Sequence, residues 1–185
     1  MAKERYIENR VIRNRDKLGY ADSAFIRRCR VGRDFGIVDL VLFPFTGRHR
    51  IVVIEAKQVT SADSDSKVVG QLLMYYTGFL HHGMRGIRYM QQFATSYPDS
   101  ARSVRNKLLK TLSGGISPPD AAWLEMQRGR KVRPEQVSLY IALDENPSFG
   151  LKSSLSVLAK THGLKIGVVS VPTRDKVKIW MPSKK

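Results

Sequence analysis

The sequence has one cysteine, Cys29, in 185 residues. A lone thiol excludes an internal disulfide and any paired-cysteine metal motif, and it fits a reducing compartment. Such a residue is expected as a buried free thiol. Long apolar runs are missing too: none approaches the roughly 18 residues of a membrane span. The start, "MAKERYIENR", is charged from its third residue and lacks the apolar centre of a signal peptide. A soluble, cytoplasmic protein is expected. There is no HExxH, no G-x-x-x-x-G-K-[ST] and no G-x-S-x-G, which argues against a zincin, a P-loop enzyme and an elbow-type serine hydrolase. Internal repeats and low-complexity tracts are absent as well.

Acidic residues are the other scarcity, 16 against 32 Lys and Arg, for a net charge of +16. The excess is uneven. Residues 1–33 carry a net of +6, residues 85–133 +7 and residues 134–185 +4, whereas residues 34–84 carry −1. A basic body around a slightly acidic centre suits a polyanion held by its phosphates, with a cation at the centre. DNA is the expected partner. RNA is not excluded, and a homodimer stays open.

The hydrophobic pattern predicts one domain over 1–185, with a core of 1–83 and 134–185. Tyr6, Ile7, Val11, Ile12 and Leu18 repeat at helical spacing over 3–18, and Gly19 ends that helix. "GIVDLVLF" (36–43) and residues 50–57 read as strands joined by a loop containing "PFTGRH". Residues 66–80 read as an amphipathic helix, 137–143 as a strand, and 152–163 as a helix ended by glycine. Strands over 165–171 and 176–181 follow. The order is helix, two or three strands, helix, strand, helix, strand, strand, which predicts an α/β class with a central mixed sheet flanked by helices. Residues 84–133 interrupt the plan as a basic helical insertion, with helices near 100–112 and 118–128.

The stretch "RIVVIEAKQ" (50–58) places four β-branched residues before an acid and a lysine. Alternation puts Ile51, Val53, Glu55 and Lys57 on one face of their strand, and Ile37, Asp39, Val41 and Phe43 on one face of the other. A hairpin symmetric about Gly47 pairs residues whose numbers sum to 94, so Asp39 faces Glu55. Two facing carboxylates on an apolar surface repel, unless one keeps a proton or a cation joins them. Mg²⁺ is commonly held by one or two carboxylates and completes its shell with water and phosphate oxygen. Lys57 points to the same side and can offset charge developing at a phosphate.

These residues resemble the PD-(D/E)XK nuclease superfamily, nearest its NucS-type and RecB-like branches. Glu8 on the first helix, "GIVDLVLF" with Asp39, "VVIEAKQ" with Glu55 and Lys57, and "VVGQLLMYY" with Gln71 follow the family order over residues 4–76. "VSLYIALDE" and "SLSVLAKTHGLKIGVVS" are similar to its closing strand, helix and strand. The resemblance implies a restriction-endonuclease-like fold and Mg²⁺- or Mn²⁺-dependent hydrolysis of phosphodiester bonds in DNA, expected as endonuclease activity. It makes Asp39 and Glu55 metal ligands together with the backbone carbonyl of Ala56. Lys57 becomes the catalytic lysine, Glu8 an accessory acid and Gln71 a site-lining residue. Val38 stands where the family's proline would be, and Glu4, one turn from Glu8, competes for its role. The alternative is a non-catalytic nucleic-acid-binding module on the same fold.

The insertion is expected to hold the DNA backbone through Arg102, Arg105, Lys107, Lys110, Arg128, Arg130, Lys131 and Arg133. On a helix the first four spread over a broad face, which suits phosphates better than base edges. Other residues draw bland assignments. His81 and His82 end a helix beside Gly83, and His49 is a surface loop residue. Tyr75 and Tyr76 are one core and one cleft residue, and Trp123 and Trp180 pack in the core or at an edge.

Overall fold

The computed structural model of the chain describes residues 2–21, 23–44, 47–59, 64–83, 132–173 and 176–183. Along it run α1 (Ala2–Arg13), β1 (Ser23–Arg30), β2 (Ile37–Pro44), β3 (Ile51–Lys57) and α2 (Ser64–His82). Then follow β4 (Val137–Leu143), α3 (Phe149–His162), β5 (Ile166–Thr173) and β6 (Lys176–Trp180). Among the described residues the strands form one six-stranded sheet in sequence order, β1 to β6. The β1–β2, β2–β3 and β5–β6 pairs are antiparallel, whereas β3–β4 and β4–β5 are parallel. The protein is therefore α/β, with a mixed sheet flanked by helices.

Two parallel connections running the same way across the sheet put their helices on one face, because such crossovers are right-handed. Side-chain packing agrees. Val68, Leu72 and Phe79 of α2 and Leu151 and Leu155 of α3 share a core with Val41, Ile51, Val53, Leu139 and Val168. On the other face Ile7, Val11 and Ile12 of α1 meet Leu40, Leu42, Val52, Ile54 and Val169. Strand β3 is sandwiched between both layers, which is why Ile51 to Ile54 form an unbroken apolar run. Arg10 clips α1 to β5: its guanidinium donates to the Val171 carbonyl at 3.0 Å.

Several element ends differ from the periodicity. Helix α1 stops at Arg13, and the chain turns over residues 14–19 to Gly19 at φ +81°. Leu18 keeps its buried place although it has left the helix. Helix α3 begins with a Ser148 cap that accepts from the Leu151 amide at 3.0 Å, and it ends at Gly163, φ +66°. The strand β1, "SAFIRRCR", has three arginines in eight residues and no apolar alternation, so periodicity leaves it unassigned. Cys29 is buried as a free thiol, as expected, and burial pushes its pKa up. The helices expected over 84–131, Trp123 among them, lie outside the described residues. No described helix is long and apolar enough to cross a membrane.

Candidate active site at the fork between β2 and β3

The β2–β3 ladder pairs Val41 with Val53 and Leu40 with Ile54, the register obtained from symmetry about Gly47. Gly47 itself has φ +88°. Continued one step, that register would bring Asp39 level with Glu55, but the paired residues end at Leu40 and Ile54. There the strands part: the Ala56 amide donates to Asp39 Oδ2 at 3.0 Å instead of continuing the backbone ladder. Since an extended residue projects its N–H and C=O to the same edge, the Ala56 carbonyl also faces the β2 side.

Side-chain alternation slips at the same level. Val41 and Phe43 enter the α2-side core and Leu40 and Leu42 the α1-side core, yet Val38 joins Val41 rather than Leu40. On β1, Ile26 and Cys29, three residues apart, likewise share one core. Between them sits Arg28, at φ +52° the only non-glycine positive φ among the described residues. A left-handed conformation at such a residue costs about 1–2 kcal/mol. Strict alternation over Ile37, Asp39, Val41 and Phe43 is thus corrected at Asp39. The two irregularities face each other, since Arg27 pairs with Leu40 and Cys29 with Val38.

Asp39, Glu55 and Glu8 are all buried, at 6%, 2% and 6% exposure. Glu55 is pushed up to about 7, first by burial and then by the Asp39 charge, with Lys57 pulling the other way. Glu8 is also pushed up to about 7, by burial and by Asp39, against Arg27, Arg28 and Arg5. So the helix acid Glu8 and the strand acid Asp39 feel one another, and Asp39 in turn acts on Glu55, although α1 lies across the sheet from α2. Lys57 Nζ is 3.1 Å from Glu55 Oε1 and 4.0 Å from Glu4 Oε1. Burial works against the ammonium, but Glu55, Asp39 and Glu4 outweigh it and raise the Lys57 pKa. Glu8 pairs with Arg27 at 3.4 Å, and Asp39 with Arg28 at 3.4 Å. Glu4 and Glu8 therefore divide the work: the first reaches the lysine, the second the arginines.

Five of the residues picked out in the sequence, Glu8, Asp39, Glu55, Ala56 and Lys57, thus meet at the fork. Gln71 lies half-buried on α2. Tyr75, one turn on, is the α2 residue that feels the acids: burial, then Glu55 and Asp39, raise its phenol pKa. Its hydroxyl donates to the Ile37 carbonyl at 2.9 Å. Tyr75 is the buried tyrosine of the pair and Tyr76 is half-buried against the α2-side core. Sequence reasoning misses Arg27 and Arg28 because they sit in an unassigned strand; the doubled arginine beside a cysteine of core type is the signal that could find them. His49 is not a plain surface residue: it is half-buried, with Nδ1 2.9 Å from the Tyr20 hydroxyl. Burial and Arg48 lower its pKa. His81 and His82 end α2 as expected, where the Gly83 amide donates to the Phe79 carbonyl at 2.9 Å. Trp180 packs at the edge of the α2-side core. Arg102, Arg105, Lys107, Lys110, Arg128, Arg130 and Lys131 lie outside the described residues, while Arg133 is exposed and pairs with Glu135 at 3.2 Å.

Glu55 Oε2 is buried and has no hydrogen-bond partner. A buried carboxylate oxygen without a partner is expensive, and with a second carboxylate and a carbonyl beside it the donor set is one that Mg²⁺ or Mn²⁺ accepts. Among the described residues no three His, Cys, Asp or Glu side chains form a metal-binding group. Mg²⁺ does not require three, since it holds one or two carboxylates and keeps its waters. The residues fit the ion. Comparison with protein-family models, curated proteins and solved structures finds no match to this chain.

Proposed function

We propose that the protein is a metal-dependent deoxyribonuclease with a restriction-endonuclease-like fold, cutting phosphodiester bonds within DNA. The observation that carries this reading is the fork itself: just past the Leu40–Ile54 pair the Asp39 charge acts on Glu55, Lys57 lies 3.1 Å from Glu55, and one Glu55 oxygen is buried without a partner.

Asp39, Glu55 and the Ala56 carbonyl would hold Mg²⁺ or Mn²⁺. The bound ion would supply Lewis-acid polarisation of the phosphoryl group and make water acidic enough to attack at neutral pH. Lys57, held charged by Glu55, orients the attacking water and offsets negative charge that builds on the phosphate oxygens. Glu8, with a pKa near neutrality, can take or return a proton beside Asp39. Tyr75 closes the α2 side of the acids and excludes water from them. The basic chain on both sides draws in the polyanion.

Incubating end-labelled duplex, branched and single-stranded DNA with Mg²⁺, Mn²⁺ or EDTA tests this. Metal-dependent internal cuts support it; metal-independent cutting, or none in any metal, overturns it. A non-catalytic nucleic-acid-binding module is the second reading, favoured by the lack of a three-residue metal group among the described residues. It predicts DNA binding equal in EDTA and in Mg²⁺, with no product.

A further inference from the structure

Arg27 and Arg28 are consecutive, yet both guanidinium groups reach one carboxylate cluster. Arg27 Nη1 lies 3.4 Å from Glu8 Oε2, and Arg28 Nη1 lies 3.4 Å from Asp39 Oδ1. In a regular strand consecutive side chains point to opposite faces. The strand is irregular at Arg28, φ +52°, and the flanking pairs Arg27–Leu40 and Cys29–Val38 put that residue at the level of Asp39. Backbone strain kept beside buried acids is a functional pointer when the surrounding fold over-determines it. Here β2 pairs with the strand on both sides of Arg28, at Arg27–Leu40 and at Cys29–Val38.

The two arginines are not equivalent. The Arg27 side chain is 17% exposed and that of Arg28 45%, while the Asp39 side chain is only 8% exposed. Arg28 therefore stands at the mouth, between solvent and the acid. A part-exposed ion pair is weak, so a divalent cation can displace this one. A planar guanidinium released at the mouth matches two phosphate oxygens at once, which an ammonium cannot.

We propose that Arg28 exchanges partners: it neutralises Asp39 while the carboxylates hold no cation, and it grips a phosphate of the bound strand once a divalent cation has taken its place. The exchange rests on the nuclease reading above. It makes Arg28 a phosphate-clamping residue whose removal has opposite effects on metal and on DNA.

The test is calorimetric titration of Mn²⁺ into the metal-free protein without DNA, for wild type, Arg28→Asn, Arg28→Lys and Asp39→Asn. It is paired with DNA affinity in Ca²⁺ and single-turnover cleavage in Mn²⁺. Asparagine tolerates the left-handed conformation, and Arg28→Gly serves if Arg28→Asn melts early. Arg28→Asn should bind Mn²⁺ about three- to tenfold more tightly, because a weak competing cation is gone. The same variant should bind DNA about tenfold more weakly, the loss expected of one charge-assisted phosphate hydrogen bond. Arg28→Lys should keep wild-type Mn²⁺ affinity, since its charge still competes, yet cleave more slowly for want of the fork. Equal or weaker Mn²⁺ binding by Arg28→Asn, or unchanged DNA affinity, overturns the exchange alone. If wild type takes up no Mn²⁺, or Asp39→Asn takes up as much as wild type, the nuclease reading fails and the exchange with it.

Discussion

The Asp39 carboxylate accepts a hydrogen bond from the Ala56 amide at 3.0 Å, so a side chain on β2 takes the place a backbone carbonyl would have in an unbroken ladder. This pair fixes the carboxylate to the neighbouring strand and aligns it with Glu55. Asp39→Ala should therefore do two things. Cleavage should fall by about two orders of magnitude or more, as when charge stabilisation at a reacting phosphate is lost. The rise in melting temperature that Mn²⁺ gives wild type, about 2.7 kcal/mol of stabilisation at one hundred times Kd, should largely vanish. DNA binding in EDTA should persist. Thermal melts with and without Mn²⁺, next to a gel cleavage assay, measure all three.

Lys57→Ala separates the lysine from the ligands. Lysine holds no metal, so the Mn²⁺-induced stabilisation should remain. Turnover should drop by about 10²–10³, the effect of removing one donor aimed at developing charge. A variant that loses both together would show that Lys57 serves mainly to hold Glu55 in place.

Metal-free stability should depend on pH in an unusual direction. Glu8 and Glu55 both have folded pKa values raised to about 7 from an ordinary value of 4.5. Between those limits the folded chain binds more protons than the unfolded one, so stability falls as pH rises from about 4.5 to about 7, then levels off. Melting in EDTA should show this decline, and Glu55→Gln, which cannot ionise, should flatten part of it. Added Mn²⁺ should oppose the decline. Steady or rising stability over that interval contradicts the raised values.

Two glycines of α2 make a matched pair. A Cβ at Gly78 would lie 2.6 Å from Val31 Cγ1 and 2.7 Å from Phe35 Cβ, whereas one at Gly70 would meet nothing within 4 Å. Gly78→Ala should destabilise by about 1–3 kcal/mol through overpacking. Gly70→Ala should stabilise by up to about 1 kcal/mol through helix propensity. Because residues 31–36 lead directly into β2, Gly78→Ala should also lower Mn²⁺ affinity. Urea melts and Mn²⁺ titrations of the two variants give the comparison.

Neutralising Arg128, Arg130, Lys131 and Arg133 together should weaken binding to unrelated DNA sequences alike. The slope of log affinity against log salt should shrink by about 0.9 for each phosphate that the protein no longer neutralises. Cleavage at saturating DNA should change little. Affinity and slope equal to wild type would place the DNA elsewhere on the molecule.

Most of the fork is legible in the sequence because it rests on local rules. The unbroken apolar run of β3 and the loop glycine give the pairing of Val41 with Val53 and bring Asp39 near Glu55, although the period of two fails at Asp39 itself. What stays hidden depends on packing across the sheet. The strand β1 owes its place to pairing with β2 rather than to its own apolar pattern. The turn at Arg28 and the slip at Val38 are tertiary irregularities that no period reveals. A polar residue on a helix, such as Gln71, stands out in a sequence more than Tyr75 does, yet burial against the acids selects the tyrosine. His49 meets Tyr20 across 29 positions of sequence, beyond any local signal.

The sheet's sequential order has a consequence for how the molecule tolerates change. Glu4, Glu8, Arg27, Arg28, Asp39, Glu55 and Lys57 are all carried by α1 and the meander β1–β2–β3, before the chain enters α2. The chain leaves α2 at Gly83 and is fixed again at the buried Val132, so the intervening stretch begins and ends on anchored residues. Doubling the length of a chain connection adds only about 0.6 kcal/mol of closure entropy. On the proposed reading, a graft of different length between those anchors would alter which nucleic acid the protein meets while leaving the spacing of its acids untouched. If that reading holds, chemistry and recognition can drift at separate rates.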